Sequence, residues 1–178
     1  MSIDAKSSAN FDYWLVVDTI RIPDAMEIVR QTTPIHYSLK LFSGDKLEHL
    51  IEHSPLVLNL GADEGALECL SLKYFDSSSV IFELPQQCDE LAFLQHLQAV
   101  FLANIGQTPS MLRFYTNAFW QPIYQDLISE DVNTLLGPTN AVTWLIEGVL
   151  QRLEKPEINN TLPEQPYVLT SDIFNLWV

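Results

Sequence analysis

Only two cysteines, Cys69 and Cys88, occur in 178 residues, and their separation fits neither a zinc motif nor a disulfide framework. Both are expected to be buried thiols in a reducing compartment. Six glycines are scattered along the chain, so no loop can cradle phosphates in the P-loop or dinucleotide manner, and no G-x-S-x-G elbow occurs. Basic residues are scarce: nine Lys and Arg against 23 Asp and Glu leave a formal net charge of -14. Such a surface repels phosphate backbones, and no basic cluster with interleaved aromatics offsets it, so nucleic acid is not an expected partner. Long clean apolar runs are also missing. The best, Leu91 to Ile105, is broken by Gln95, His96, Gln98 and Asn104, so no membrane span is expected. The opening MSIDAKSSANFDYW has no basic start or apolar stretch of a signal peptide. A cytoplasmic protein is expected, in which the Asn159-Asn160-Thr161 sequon carries no weight.

What is present is a globular composition, 47% hydrophobic and 18% charged, enough for one domain with its own core. Residues 1 to 11 read as a disordered tail. Trp14 to Val17 is a continuous apolar run, a strand buried on both faces. Ile22 to Gln31 follows as a helix, ended by Thr33-Pro34. Ile35, Tyr37, Leu39 and Leu41 alternate with polar residues as a strand with one wet face. Ser43-Gly44-Asp45 is a turn, Leu47 to Ile51 a short helix stopped by Ser54-Pro55, and Leu56 to Leu60 a strand. Helix Asp63–Tyr74, strand Ser79–Leu84 and helix Gln86–Asn104 come next, the last with Leu91, Leu94, Leu97, Phe101 and Ile105 at helical spacing. Met111 to Tyr115 is a strand, and Ser129 caps a helix that ends at Gly137-Pro138. Ala141–Glu147 and Val149–Lys155 pair as a hairpin across Gly148, Glu157–Pro166 is a linker, and Thr170 to Asp172 cap a short last helix. The expected architecture is α/β: a mixed sheet flanked by helices over residues 12–140, with a smaller C-terminal lobe of hairpin and helix over 141–178.

Three stretches carry the candidate sites. HLIEH, His49 to His53, matches the H-x-x-E-H pattern in which two imidazoles hold zinc and Glu52 activates a water. On an α-helix, however, His49 and His53 would point opposite the stripe of Leu47, Leu50 and Ile51, towards solvent. MLRFYTNAFWQPIYQDL, residues 111–127, gathers Phe114, Tyr115, Phe119, Trp120 and Tyr124 around Arg113. This is either a ligand box, with the guanidinium on a carboxylate or a ring, or the packing centre of the core, which is the commoner fate of such rings. Ile173, Phe174, Leu176 and Trp177 close the chain, where they either dock on the core or stand out as an anchor for a partner. Phe174 and Trp177 are the candidate partner-binding pair.

In order and spacing, SGDKLEHLIEHSPLVLNL, LAFLQHLQAVFLANI, MLRFYTNAFWQPIYQDL and LLGPTNAVTW resemble domain-of-unknown-function family 4123, the effector chaperones or adaptors of bacterial type VI secretion. The residues that carry the resemblance are Ser54, Pro55, Arg113, Phe114, Tyr115, Gly137, Pro138 and Trp144, spread between Tyr13 and Trp144. Thr116 and Asn117 stand where the family has Asp-Pro, and Pro122 implies a helix that is kinked or starts near Gln121. The resemblance implies a non-enzymatic role without cofactor: binding a toxin effector in the cytoplasm, with the secretion spike as a second partner, and with the motif residues as scaffold. Two alternatives come from the residues: an immunity-type inhibitor of a basic toxin, suited to a charge of -14, and a zinc hydrolase built on His49, Glu52 and His53.

Overall fold

The Trp14–Val17 run lies near the middle of a sheet with both faces covered. The computed structural model describes residues 10–44, 46–156 and 162–178. The expected tail up to residue 9, Asp45 of the expected turn, and residues 157–161 of the expected linker with its sequon lie outside the described residues. Strand β1 (Phe11–Val17) sends Trp14 and Val16 into one apolar cluster and Tyr13, Leu15 and Val17 into another on the opposite face. With a side-chain period of two, only a strand covered on both sides needs apolar residues at consecutive positions.

Around β1 stand β2 (Tyr37–Lys40), β3 (Leu56–Asn59), β4 (Ser79–Pro85), β7 (Ala141–Ile146) and β8 (Val149–Glu154), in the order β2-β3-β1-β4-β7-β8. Every pairing in this sheet is antiparallel. A second sheet, in the order β6-β5-β9, joins β5 (Asn104–Ile105), β6 (Thr108–Pro109) and β9 (Val168–Leu169), and its β5–β9 pair is parallel. The expected α/β architecture is therefore present, with the parallel component of the mixed sheet confined to the small one. The division at residue 140 does not appear: β7 pairs with β4 inside the large sheet, and its hairpin with β8 extends that sheet. Buried Glu83 of β4 takes both Nε and Nη2 of Arg152 on β8, at 2.9 and 3.1 Å, tying strands across the intervening β7.

One face carries α1 (Ala25–Thr32), α2 (Phe75–Ser78) and a 3₁₀ segment, Glu64–Ser71. On the other lie α3 (Glu90–Phe101), α4 (Asn117–Trp120), α5 (Ser129–Leu136) and a C-terminal strap, residues 167–174. Asp89 caps α3 by accepting from Ala92 N–H at 3.1 Å. Leu91, expected on its apolar stripe, is exposed instead. Both short helices expected over 47–51 and 63–74 are 3₁₀ for most of their length. Segments this short gain little from α propagation; the first ends at the Ser54-Pro55 stop, and the second opens on Asp63, which accepts from Gly65 N–H. No helix among the described residues is long and apolar enough to cross a membrane.

Met111–Tyr115 is not a strand. Leu112 N–H donates to Phe101 O at 2.8 Å and Phe114 N–H to Leu112 O at 2.9 Å, bonds that belong to no strand ladder. Ser129 does not cap α5 but opens it, with Ile128 at the cap position donating its N–H to Ser171 Oγ at 3.0 Å. The helix end at Gly137 is as expected: it turns through φ +53°, ψ -120°, a region glycine alone enters freely.

Candidate functional site

The aromatic stretch is mainly core. Phe114 is buried and its carbonyl accepts from Trp120 Nε1 at 2.6 Å. Trp120 stacks on Trp144 with centroids 6.1 Å apart, Trp144 Nε1 donates to Gln121 Oε1 at 2.8 Å, and Phe82 meets Phe114 and Trp120 edge-on. Such contacts satisfy both indole N–H groups and fill the space between the sheet and α4. Thr116 caps α4, accepting from Phe119 N–H at 3.2 Å while its hydroxyl donates to Arg113 O at 3.0 Å. The helix starts at Asn117 and stops ahead of Pro122, not at Gln121.

Ser54, Pro55 and Gly137 make buried structural contacts. Buried Ser54 accepts from Phe42 N–H at 2.9 Å and donates to Pro55 O, while its own carbonyl takes the Thr19 hydroxyl at 2.8 Å. Gly137 lies against the buried His96 ring, whose nitrogens reach Tyr167 Oη at 3.0 Å and Leu135 O at 3.1 Å. Burial pushes the His96 pKa down to about 4, so the ring is neutral near pH 7. His49, Glu52 and His53 are exposed on the 3₁₀ segment Glu48–His53. At three residues per turn, positions four apart point about 120° away from each other, unlike the one-sided pair of an α-helical zinc motif. Among the described residues no group of three or more His, Cys, Asp or Glu is gathered for a metal.

Arg113 departs from this core pattern. Its side chain is 55% exposed, and Nη2 pairs with Asp18 Oδ2 at 2.7 Å. Asp18 follows β1 directly and is 2% exposed. Its Oδ1 accepts from Ile20 N–H at 2.9 Å and from Arg21 N–H at 3.4 Å. A buried carboxylate needs such partners, and here both oxygens have them. The Arg113 guanidinium lies over the Tyr115 ring, 5.8 Å from its centroid. Burial raises the Tyr115 hydroxyl pKa while the guanidinium pulls it the other way, and the hydroxyl remains protonated near pH 7.

Beside Arg113 opens a cleft of about 460 Å³ whose lining includes Arg21, Met111, Phe119 and Trp177. The C-terminal segment Asp172–Trp177, also 3₁₀, docks through Phe174, which is 1% exposed and so cannot be a direct anchor. Trp177, 39% exposed, leans edge-on against Phe119 and Phe174, at 5.5 and 5.2 Å between centroids. The expected pair therefore divides: Phe174 is core and Trp177 faces the cleft. No Asp or Glu is among the described lining residues, in a chain that carries 23. Sequence reasoning missed Arg21 and Asp18, although an acid directly after a doubly buried strand and two residues before a turn N–H is a legible Asx-turn signal. A larger groove of about 800 Å³ runs along α3 past Leu47, Leu91, Leu94 and Leu102, with Lys46 as its one charged residue among the described lining.

No curated protein and no solved structure matches the chain. The family profile described as "Domain of unknown function (DUF4123)" matches residues 13–133, about two thirds of the chain, reaching β1, β4, α3 and Arg113 but stopping short of Gly137, Pro138 and Trp144. With β1 at one end of that match and α5 at the other, this chain belongs to the DUF4123 family.

Proposed function

We propose that this protein is a non-enzymatic adaptor or chaperone of the cytoplasm that holds a type VI secretion effector before it is loaded onto the secretion spike. The observation that carries the reading is the cleft. An open recess walled by Met111, Phe119 and Trp177 and charged by Arg21 and Arg113 has the mixed chemistry of a protein-binding surface. The resemblance to the type VI adaptors supplies the class of partner. A net charge of -14 keeps such a surface soluble while the recess is empty.

The same charge favours a second reading, an immunity-type inhibitor that covers a basic toxin's active site. One experiment separates the two. The protein is co-expressed with each gene product encoded beside it and captured by an affinity tag, and any captured partner is assayed for toxicity. An adaptor is expected to retain and stabilise the effector while leaving toxin activity intact, and Trp177→Ala weakens retention by about tenfold or more. Loss of toxin activity on adding the pure protein turns the reading to immunity. Failure to retain any such product refutes both.

A further inference from the structure

Arg21 and Arg113 enter the cleft from separate loops but share one anchor. Buried Asp18 holds Arg113 Nη2 at 2.7 Å with one oxygen and the Arg21 N–H with the other. The Asp18 charge is thus offset by Arg113, and among the described residues no carboxylate pairs with the Arg21 side chain. The charged side chains in the described lining are therefore two arginines, of which one is paired with Asp18. Arg113 is also fixed over the Tyr115 ring, so less side-chain freedom remains to be lost when it binds. Facing the two cations are exposed Met111 and half-exposed Trp177, the latter set on Phe119. At physiological salt, charges more than about 8 Å away are largely screened. The local pair of arginines can therefore attract a single anion on a protein of net charge -14, while a run of acids, reaching over the rest of the surface, is repelled.

We propose that the cleft takes a polypeptide segment of the partner in which one Asp or Glu stands next to a large apolar side chain. The carboxylate meets Arg21 and the outer edge of the Arg113 guanidinium, and the apolar side chain packs on Met111 and Trp177. The inference rests on the binding reading above and adds the chemistry of what is bound. Nucleic-acid phosphates and polyacidic segments fail on charge density, and an uncharged apolar segment leaves both arginines unused.

Trp177 reports on its own occupancy. Trp14, Trp120 and Trp144 are 1%, 0% and 0% exposed, so a quencher in water reaches Trp177 almost alone. Measured relative to free N-acetyltryptophanamide, iodide is expected to quench it more strongly than caesium despite the net charge, and Arg21→Gln lowers that relative preference. The peptide acetyl-Ala-Leu-Asp-Leu-amide is expected to protect Trp177 from acrylamide at about tenfold lower concentration than its Asn counterpart. Arg21→Gln, which leaves the Asp18–Arg113 pair in place, brings the two peptides level. Equal protection by both peptides on the native protein, no protection by either, or protection by inorganic phosphate as strong as by the acidic peptide overturns the proposal. If the effector is captured while the peptides go undistinguished, the binding reading stands and this inference falls. Discrimination between the peptides without effector capture does the reverse.

Discussion

A methyl group added at Gly137 tests the corner on which the fold turns from α5 into β7. A β-carbon there falls on the His96 ring, 2.6 Å from Nε2 and closer still to Cε1 and Nδ1. The ring cannot swing away without breaking its bonds to Tyr167 Oη and Leu135 O. Two costs add. The backbone at φ +53°, ψ -120° costs an L-residue about 1–3 kcal/mol, and overpacking a filled site costs about 1–3 kcal/mol more. Gly137→Ala is therefore expected to destabilise by about 4 kcal/mol and to lower Tm by about 10 °C. Gly148→Ala is the control. Gly148 has φ +76° in the β7–β8 turn but nothing within 4 Å of its would-be β-carbon, so its cost is conformational alone, about 1–2 kcal/mol. Urea denaturation followed by near-ultraviolet circular dichroism measures both. If the two variants are equally stable, the clash with His96 is not what requires glycine, and the reasoning fails.

Acid stability should carry the mark of His96. Its pKa is lowered from 6.5 to about 4, chiefly by burial. Between those values the unfolded chain holds a proton that the native state does not, so this group's contribution falls with decreasing pH, by about 1.4 kcal/mol per unit. Urea midpoints from pH 7 down to pH 5 should drop more steeply for the native protein than for His96→Gln, and parallel curves contradict the assignment. Asp131, 2% exposed, holds the C-terminal strap by accepting from Thr170 N–H at 3.0 Å, Ser171 N–H at 2.7 Å and the Ser171 hydroxyl. Asp131→Ala leaves those donors unpaired, and a loss of about 2–4 kcal/mol is expected. Hydrogen exchange at Thr170 and Ser171 should rise well ahead of exchange in β4, and unchanged protection of the two amides refutes the latch.

Local patterns in the chain determined a good part of this molecule. The run Trp14–Val17 demanded a strand covered on both faces, Gly148 a hairpin connection, and Gly137-Pro138 a helix stop, because each depends on side-chain period or on backbone angles that few residues adopt. The density of rings around residues 114–124 likewise marked a core, since that much apolar area is seldom left in water.

Tertiary structure decided the rest. Met111–Tyr115 reads as a strand in the sequence, but a strand exists only beside a partner, and here Phe101 O takes the Leu112 N–H instead. Leu91 fits the stripe of α3 yet is exposed, because the neighbouring elements leave that end of the helix uncovered. The C-terminal residues divided between core and surface according to whether the packing left room: Phe174 found a site inside and Trp177 only a wall to lean on. The cleft itself joins Arg21, Arg113 and Trp177 from three distant parts of the chain. No local period encodes that meeting, because it depends on how separate segments dock on the sheet and on one buried carboxylate, Asp18, that orients two of them.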